Sequence, residues 1–238
     1  MRAARFFRSP RRVGGSNCWP PLIYDAINEP ILSRVPKTAR RVLDVGCGSG
    51  ALGRTIKKQI PCEVIGVTHS EAEAALASQY LDAVLLCDIG RFDPDETGKF
   101  DCIICSHVLE HLCQPAELLA RLRHRLSPEG TLLVALPNVL QWRQRLEFMR
   151  GHFRYTDGGL MDRSHVRFFD WTTASALLVG TGYGVVERQA CGGVPFSRLL
   201  GGLGRSLDRL ALTALPGLFG WQFVFVCRND RHESRVMS

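Results

Sequence analysis

The chain lacks several features that would assign it at a glance. Its 238 residues contain no internal repeat and no low-complexity stretch. With 45% hydrophobic and 22% charged residues it also departs from the composition of disordered chains and collagen-like fibres. Nothing near the start resembles the apolar core of a secretory signal. Leu210–Cys227 is free of charge and approaches the length of a membrane span, but Pro216-Gly217 and Gln222 interrupt it and its second half alternates like a strand. A transmembrane segment is therefore not expected. The nine cysteines are odd in number and scattered, which argues against a disulfide framework and suits a reducing, cytoplasmic setting. The lone C-x-x-C, Cys102 and Cys105, has no second pair. It lies in an apolar run, where alternation sends the two thiols to opposite faces.

Acidic residues are absent from the first sixteen positions, which hold five arginines: Arg2, Arg5, Arg8, Arg11 and Arg12. Removing them from the formal charge of +7 leaves +2 for the rest. Basicity is thus mostly a property of the tail, and a nucleic-acid partner is not expected. Residues 1–17 read as a disordered basic tail, with an Arg-rich start that is also similar to a mitochondrial presequence. Residues 18–238 read as one domain, since their length suits a single core.

Within that domain, residues 21–38 carry helical spacing (Ile23, Ile27, Ile31, Leu32). From Arg41 onward, short apolar runs alternate with helical patterns. The strand candidates are Arg41–Val45, Glu63–Val67, Ala83–Cys87, Asp101–Cys105 and Thr131–Leu136; the helices between them are Ala51–Gln59, Glu71–Gln79 and Pro115–Leu126. A helix at Trp171–Val179 and strands at Gly184–Ala190 and Trp221–Cys227 complete the pattern. Near-continuous apolar strands separated by helices predict an α/β fold with a doubly wound, mostly parallel, seven-stranded sheet. Ligands belong at the carboxyl ends of its strands. Two connections exceed ordinary loop lengths: residues 137–170, a helical insertion after the fifth strand, and residues 191–220, before the last strand.

The strongest local signal is Leu43-Asp44-Val45-Gly46-Cys47-Gly48-Ser49-Gly50, which follows a strand and opens a helix. Gly46 permits a tight turn and Gly48 lets a ligand approach bare backbone. The glycines alone also fit a dinucleotide fingerprint, so they do not choose the ligand. Asp44 does: a carboxylate at the strand tip repels a pyrophosphate and favours a ligand bearing an ammonium and a sulfonium. The alternative role for Asp44 is to cap the turn that follows it.

Residues 43–50 resemble the first motif of class I S-adenosylmethionine-dependent methyltransferases, and the order of elements from about residue 41 to 190 agrees with their Rossmann-like fold. The chain is similar to a bacterial branch that holds ubiquinone-type O-methyltransferases and methyltransferases of surface-polysaccharide and natural-product clusters. Three further segments carry the likeness: Cys87-Asp88, Val108-Leu109-Glu110-His111-Leu112, and Leu160-x-Asp162-x-x-His165-x-Arg167-Phe168-Phe169. The resemblance implies S-adenosylmethionine as cofactor, with Asp44, Gly46, Cys47, Gly48 and Gly50 around it. It further implies that Asp88 meets the adenine amino group, that Ile89 lies against the ring, and that Ser106 and His107 line the methionine moiety. Where the family places an acid for the ribose hydroxyls, this sequence has Thr68-His69, with Glu71 as a substitute from the helix start. That departure motivates an alternative reading as a non-catalytic, cofactor-binding or regulatory partner.

His107-Val108-Leu109-Glu110-His111 matches the H-x-x-E-H spacing of inverted zinc peptidases, without their surrounding fold. In quinone-precursor O-methyltransferases this stretch can carry Glu-x-x-Glu-His as metal ligands. Here Glu110 and His111 match but His107 replaces the first Glu, so no metal is expected. Glu110 and His111 read instead as fixing a helix start. His107 is the first choice as general base for a hydroxyl acceptor, and His165 the second.

The 137–170 insertion holds Trp142, Tyr155 and six arginines, including Arg167, against three acids before Asp170. Trp142, Tyr155 and Arg167 are therefore the candidate acceptor contacts, for an anionic or sugar-bearing molecule. In residues 196–210, Phe196, Leu199, Leu200, Leu203, Leu207 and Leu210 share one helix face, with Arg198, Arg205 and Arg209 opposite. The plainer expectation is a lid whose leucines cover the core or the substrate mouth; the alternative is contact with an anionic membrane surface. Taken together, the sequence predicts an enzyme that O-methylates a small-molecule or glycan acceptor.

Overall fold

The computed structural model describes residues 5–8 and 26–230. Its eight-stranded sheet follows from the apolar runs. The strands are β1 (Arg5–Arg8), β2 (Arg41–Val45), β3 (Glu63–Thr68), β4 (Ala83–Leu86), β5 (Phe100–Ser106), β6 (Leu126–Pro137), β7 (Tyr183–Gly192) and β8 (Gly220–Asn229). Their order is β1-β4-β3-β2-β5-β6-β8-β7. All neighbours run parallel except β6–β8 and β8–β7, so β8 enters as an antiparallel wedge.

Side-chain alternation splits the core into two layers, one on each face of the sheet. Leu43, Val45, Ile103, Leu132 and Val134 fall in one layer, while Val42, Ile104, Leu133 and Ala135 fall in the other. The C-x-x-C thiols divide the same way: Cys105 joins the first layer and Cys102 the second, and both are free.

The covering helices are α1 (Glu29–Leu32), α2 (Ala51–Gln59), α3 (Glu71–Ala77), α4 (Pro115–Arg123), α5 (Trp142–Met149), α6 (Trp171–Gly180), α7 (Gly201–Ala214) and α8 (Pro216–Phe219). Their starts follow local chemistry. Ser70 accepts from Glu73 N, Pro115 opens α4, and Asp170 with Thr173 forms a capping box.

Three expectations are corrected. An extra edge strand, β1, pairs parallel with β4 inside the stretch read as a disordered tail. The unpaired backbone of a sheet edge is what such a segment satisfies. The rest of that tail, and Ile23, lie outside the described residues. Among the described residues of the 21–38 stretch, the helical spacing yields only α1, where Ile31 and Leu32 are buried. Finally, the predicted leucine face of residues 196–210 does not cover the core: Leu199, in the turn before α7, and Leu203 and Leu210, on α7, are 82, 66 and 68% exposed. The reason is Gly204, the buried residue of that helix, where an added Cβ would stand 1.8 Å from Ser197 O. Asp208 ties the same side down through Val194 N and Ser197 Oγ. Close backbone approach therefore selects the glycine side as the inner one.

From β2 the chain builds outward through β3 and β4, then returns to place β5 on the other flank of β2. The carboxyl ends of β2 and β5 thus frame the switch point where doubly wound sheets bind ligands.

Candidate active site

The bend after β2 is made by Gly46, Gly48 and Gly50, with φ of +76°, +52° and +83°. At Gly46 a Cβ would also lie 2.4 Å from Cγ2 of Val108, so the left-handed turn and the close approach both demand glycine. Gly46 N and Cys47 N donate to the same carbonyl, Val67 O, at 2.8 and 3.0 Å. The turn is closed by backbone, which removes the need for Asp44 to cap it.

Asp44 is 2% exposed, and its Oδ2 has no hydrogen-bond partner. Burial pushes its carboxyl up from the ordinary range to about 7. A buried carboxylate with an unpartnered oxygen is costly unless a cation completes it. Beside it, burial holds the Cys47 thiol well above its usual range, so it is inert lining.

At the end of β3, Thr68 is buried and donates its hydroxyl to Glu73 Oε2 at 2.6 Å. Glu73, itself buried, brings a carboxylate to the end of β3. Glu71, the expected substitute, is exposed, and so is His69. Glu73 was legible as the fourth residue of the capping-box pattern Ser70-x-x-Glu73. At the end of β4, Asp88 accepts from Gly90 N at 2.9 Å, and Ile89 packs on the core edge.

At the end of β5, His107 adopts φ +56°, unusual for a non-glycine residue. Its Nδ1 lies 3.2 Å from Glu110 Oε1 and its Nε2 2.8 Å from Gln222 Oε1. Gln222, on β8, exchanges two hydrogen bonds with Asn28, and Asn28 also donates to Ser106 Oγ. The indole of Trp221 stacks on the imidazole with centroids 6.3 Å apart. Burial pulls the His107 pKa down, but the Glu110 bond and charge, with Gln222, outweigh it and leave it raised. Leu109–His111 forms one 3₁₀ turn, not a helix, so the peptidase geometry is absent there. Glu110 and His111 also do not start α4, which opens at Pro115 behind Gln114.

Glu110 is fully buried, its Oε2 has no partner, and its backbone carbonyl accepts from Val166 N and Arg167 N. This brings the 137–170 insertion onto the turn. His165 is buried beside His111, with ring centroids 4.8 Å apart. Burial holds the His165 pKa below the usual value. Arg167 is spent on Cys113 O through Nε and Nη2, so it serves the fold of the insertion. Trp142, by contrast, lines a cleft of about 980 Å³ with Arg143, His152, Arg154, Phe196 and Trp221. Tyr155 is exposed in an aromatic group with Phe153.

Glu73, Gln222 and Asn28 had no place among the residues named from sequence. Gln222 was visible as the polar break in an uncharged run; Asn28 left no signal. The sheet and the bend define a doubly wound domain built for an adenosyl ligand. A family model described as a methyltransferase domain matches residues 23–188. The chain is 29% identical over 126 residues to a ubiquinone biosynthesis O-methyltransferase of Marinobacter nauticus, covering 50% of this chain and 51% of that protein. It is 35% identical over 133 residues to a trans-aconitate 2-methyltransferase of Methylobacterium radiotolerans, covering 51% and 50%. The chain spans about half the length of these curated relatives. Its fold is similar to that of a methyltransferase from Archaeoglobus fulgidus, with TM-score 0.57, 19% identity and coverage of 81% and 87%. The chain belongs to the methyltransferase-domain family, whose cofactor is S-adenosylmethionine. The residues present fit that group: a buried carboxylate oxygen without a partner lies beneath a bend that excludes side chains.

Proposed function

We propose that the protein transfers the methyl group of S-adenosylmethionine to a hydroxyl of a small-molecule or sugar-bearing acceptor. The observation that carries this reading is Asp44, whose free Oδ2 sits at the switch point one strand away from His107. The cofactor supplies an activated methyl group when bound. The chain's own residues bind, orient and move a proton. Asp44 attracts the positive charge of the donor, and the glycine bend lets it approach the backbone. Glu73, with Thr68, takes the ribose hydroxyls; Asp88 and Ile89 take the adenine; Ser106 faces the methionine moiety. In its neutral form, with Nδ1–H donated to Glu110 and the Nε2 proton already lost to solvent as the acceptor displaces Gln222, His107 takes the acceptor's hydroxyl proton at Nε2. His165 acts through Glu110 and does not face the acceptor.

The cleft beside Trp221 takes the acceptor, with Trp142 as its apolar wall and Arg143 and Arg154 matched to an anionic or glycan-bearing group. Phe196–Leu210 adds a peripheral contact with anionic lipid. Its leucines face outward, and Arg205 and Arg209 are exposed beside them. Among the described residues no helix is long and apolar enough to cross a membrane. The free cysteines among the described residues support a reading of a reducing, cytoplasmic setting. What argues against the non-catalytic alternative is Glu73, a buried carboxylate paired with Thr68 at the end of β3.

The test is transfer of label from methyl-labelled S-adenosylmethionine to a panel of hydroxyl-bearing acids, quinols and sugars. Label in an O-methyl product supports the reading. Tight cofactor binding with no transfer to extract metabolites contradicts it.

A further inference from the structure

Three side chains outside the donor pocket converge in a way the sequence spacing conceals. One donor atom from each of Glu110, His111 and His165 lies within 4.8 Å of the other two. Two of these residues belong to the turn after β5, and the third comes from the insertion more than fifty positions later. Both rings are already oriented. Nδ1 of His111 faces Ser164 O at 3.2 Å, and Nδ1 of His165 faces Leu160 O at 3.3 Å. A ring that donates Nδ1–H to a carbonyl presents Nε2 as its bare nitrogen, the arrangement that backs metal-bound imidazoles. The carboxylate is prepared too. Its Oε1 is held by His107, while Oε2 is fully buried with nothing to accept from.

We propose that Glu110, His111 and His165 form a binding site for a divalent transition ion of the zinc class. Two imidazoles and one carboxylate favour such an ion over magnesium or calcium, which prefer oxygen donors. In a tetrahedral site with bonds of about 2.1 Å, donors stand about 3.4 Å apart. The donor atoms stand within 4.8 Å of one another, and His111, the least buried of the three, is the ring with room to turn toward the others. A fourth position stays open for water. The set differs from Glu-x-x-Glu-His, in which residue 107 would be a ligand: here His107 is the hydrogen-bond partner that steadies Glu110. The ion would clasp the Leu160–Arg167 segment to the turn that carries His107. The inference does not depend on methyl transfer.

The test uses the full chain without an affinity tag, stripped with chelator and dialysed against zinc or cobalt(II). Elemental analysis should give one ion per chain, and cobalt should produce visible absorption of a low-coordinate nitrogen–oxygen site. His165→Gln and Glu110→Gln should each weaken binding at least 10-fold. His107→Gln, and His152→Gln at a histidine outside the cluster, should keep the ion. Circular dichroism and melting without metal establish that each variant folds; if Glu110→Gln does not, His165→Gln alone decides. No stoichiometric ion in the wild type would overturn the proposal. So would loss in His107→Gln with retention in His165→Gln, which would mark the other ligand set.

Discussion

Glu110 Oε1 lies 3.2 Å from Nδ1 of His107, at the fully buried end of an ion pair that faces the switch point of the sheet. This carboxylate also stands beside His165, so both histidines named from the sequence meet at one residue that sequence alone read as a helix-start determinant. A buried carboxylate that fixes an imidazole through Nδ1 is the arrangement that orients a base.

His107→Gln should lower kcat by about 10²- to 10⁴-fold, the usual contribution of a positioned base, with cofactor affinity little changed. Glu110→Gln should lower kcat less, since the ring stays in place without its charged partner. Single-turnover methyl transfer, with the Kd for S-adenosylmethionine measured separately, checks both.

Asp44→Asn should stabilise the cofactor-free protein while weakening the donor site. The folded carboxyl titrates near 7 against an ordinary value of 3.8. The native state therefore holds its proton more tightly than the unfolded one, and stability falls as pH rises through that window. Asparagine removes the penalty, so the variant's Tm should exceed wild type at pH 8 and match it near pH 4. Calorimetric melts across that range would show it; equal Tm at both ends would contradict it.

Glu73→Gln should weaken S-adenosylmethionine binding about 10-fold and leave kcat at saturation unchanged. A charge-assisted bond to a ribose hydroxyl is roughly twice as strong as a neutral one. Glu71→Gln, at an exposed position, should have no effect. Titration calorimetry on the two variants separates the roles.

Leu203→Ser with Leu210→Ser should abolish binding to vesicles rich in phosphatidylglycerol without changing Tm, because both side chains are already exposed. Co-sedimentation with anionic and zwitterionic vesicles reads this directly. Unchanged sedimentation would assign the leucine face to something other than lipid.

Strands and helices were legible because their signals are local. Arg41–Val45 and Ala51–Gln59 were placed to the residue, since apolar runs and the glycine break mark both ends. The donor bend was legible for the same reason. What escaped depends on contacts between distant segments. Gln222 reaches His107 from 115 positions away, and Asn28 reaches Gln222 from 194. The inner face of α7 is not legible from periodicity, which marks an apolar stripe without saying which side a backbone can approach. Gly204 decided that. Arg167 looked like a substrate residue because arginine in a recognition segment usually is one; its carbonyl partner, Cys113, is set by the folded insertion.

The most direct test is titration calorimetry of the wild-type chain and Asp44→Asn with S-adenosylmethionine and, separately, with a nicotinamide dinucleotide. The wild type is expected to bind the sulfonium donor and not the dinucleotide, with affinity rising as pH is taken through 7 and Asp44 ionises. Asp44→Asn should lose most of that affinity and its pH dependence. Dinucleotide binding by the wild type, or full S-adenosylmethionine affinity in Asp44→Asn, would contradict it.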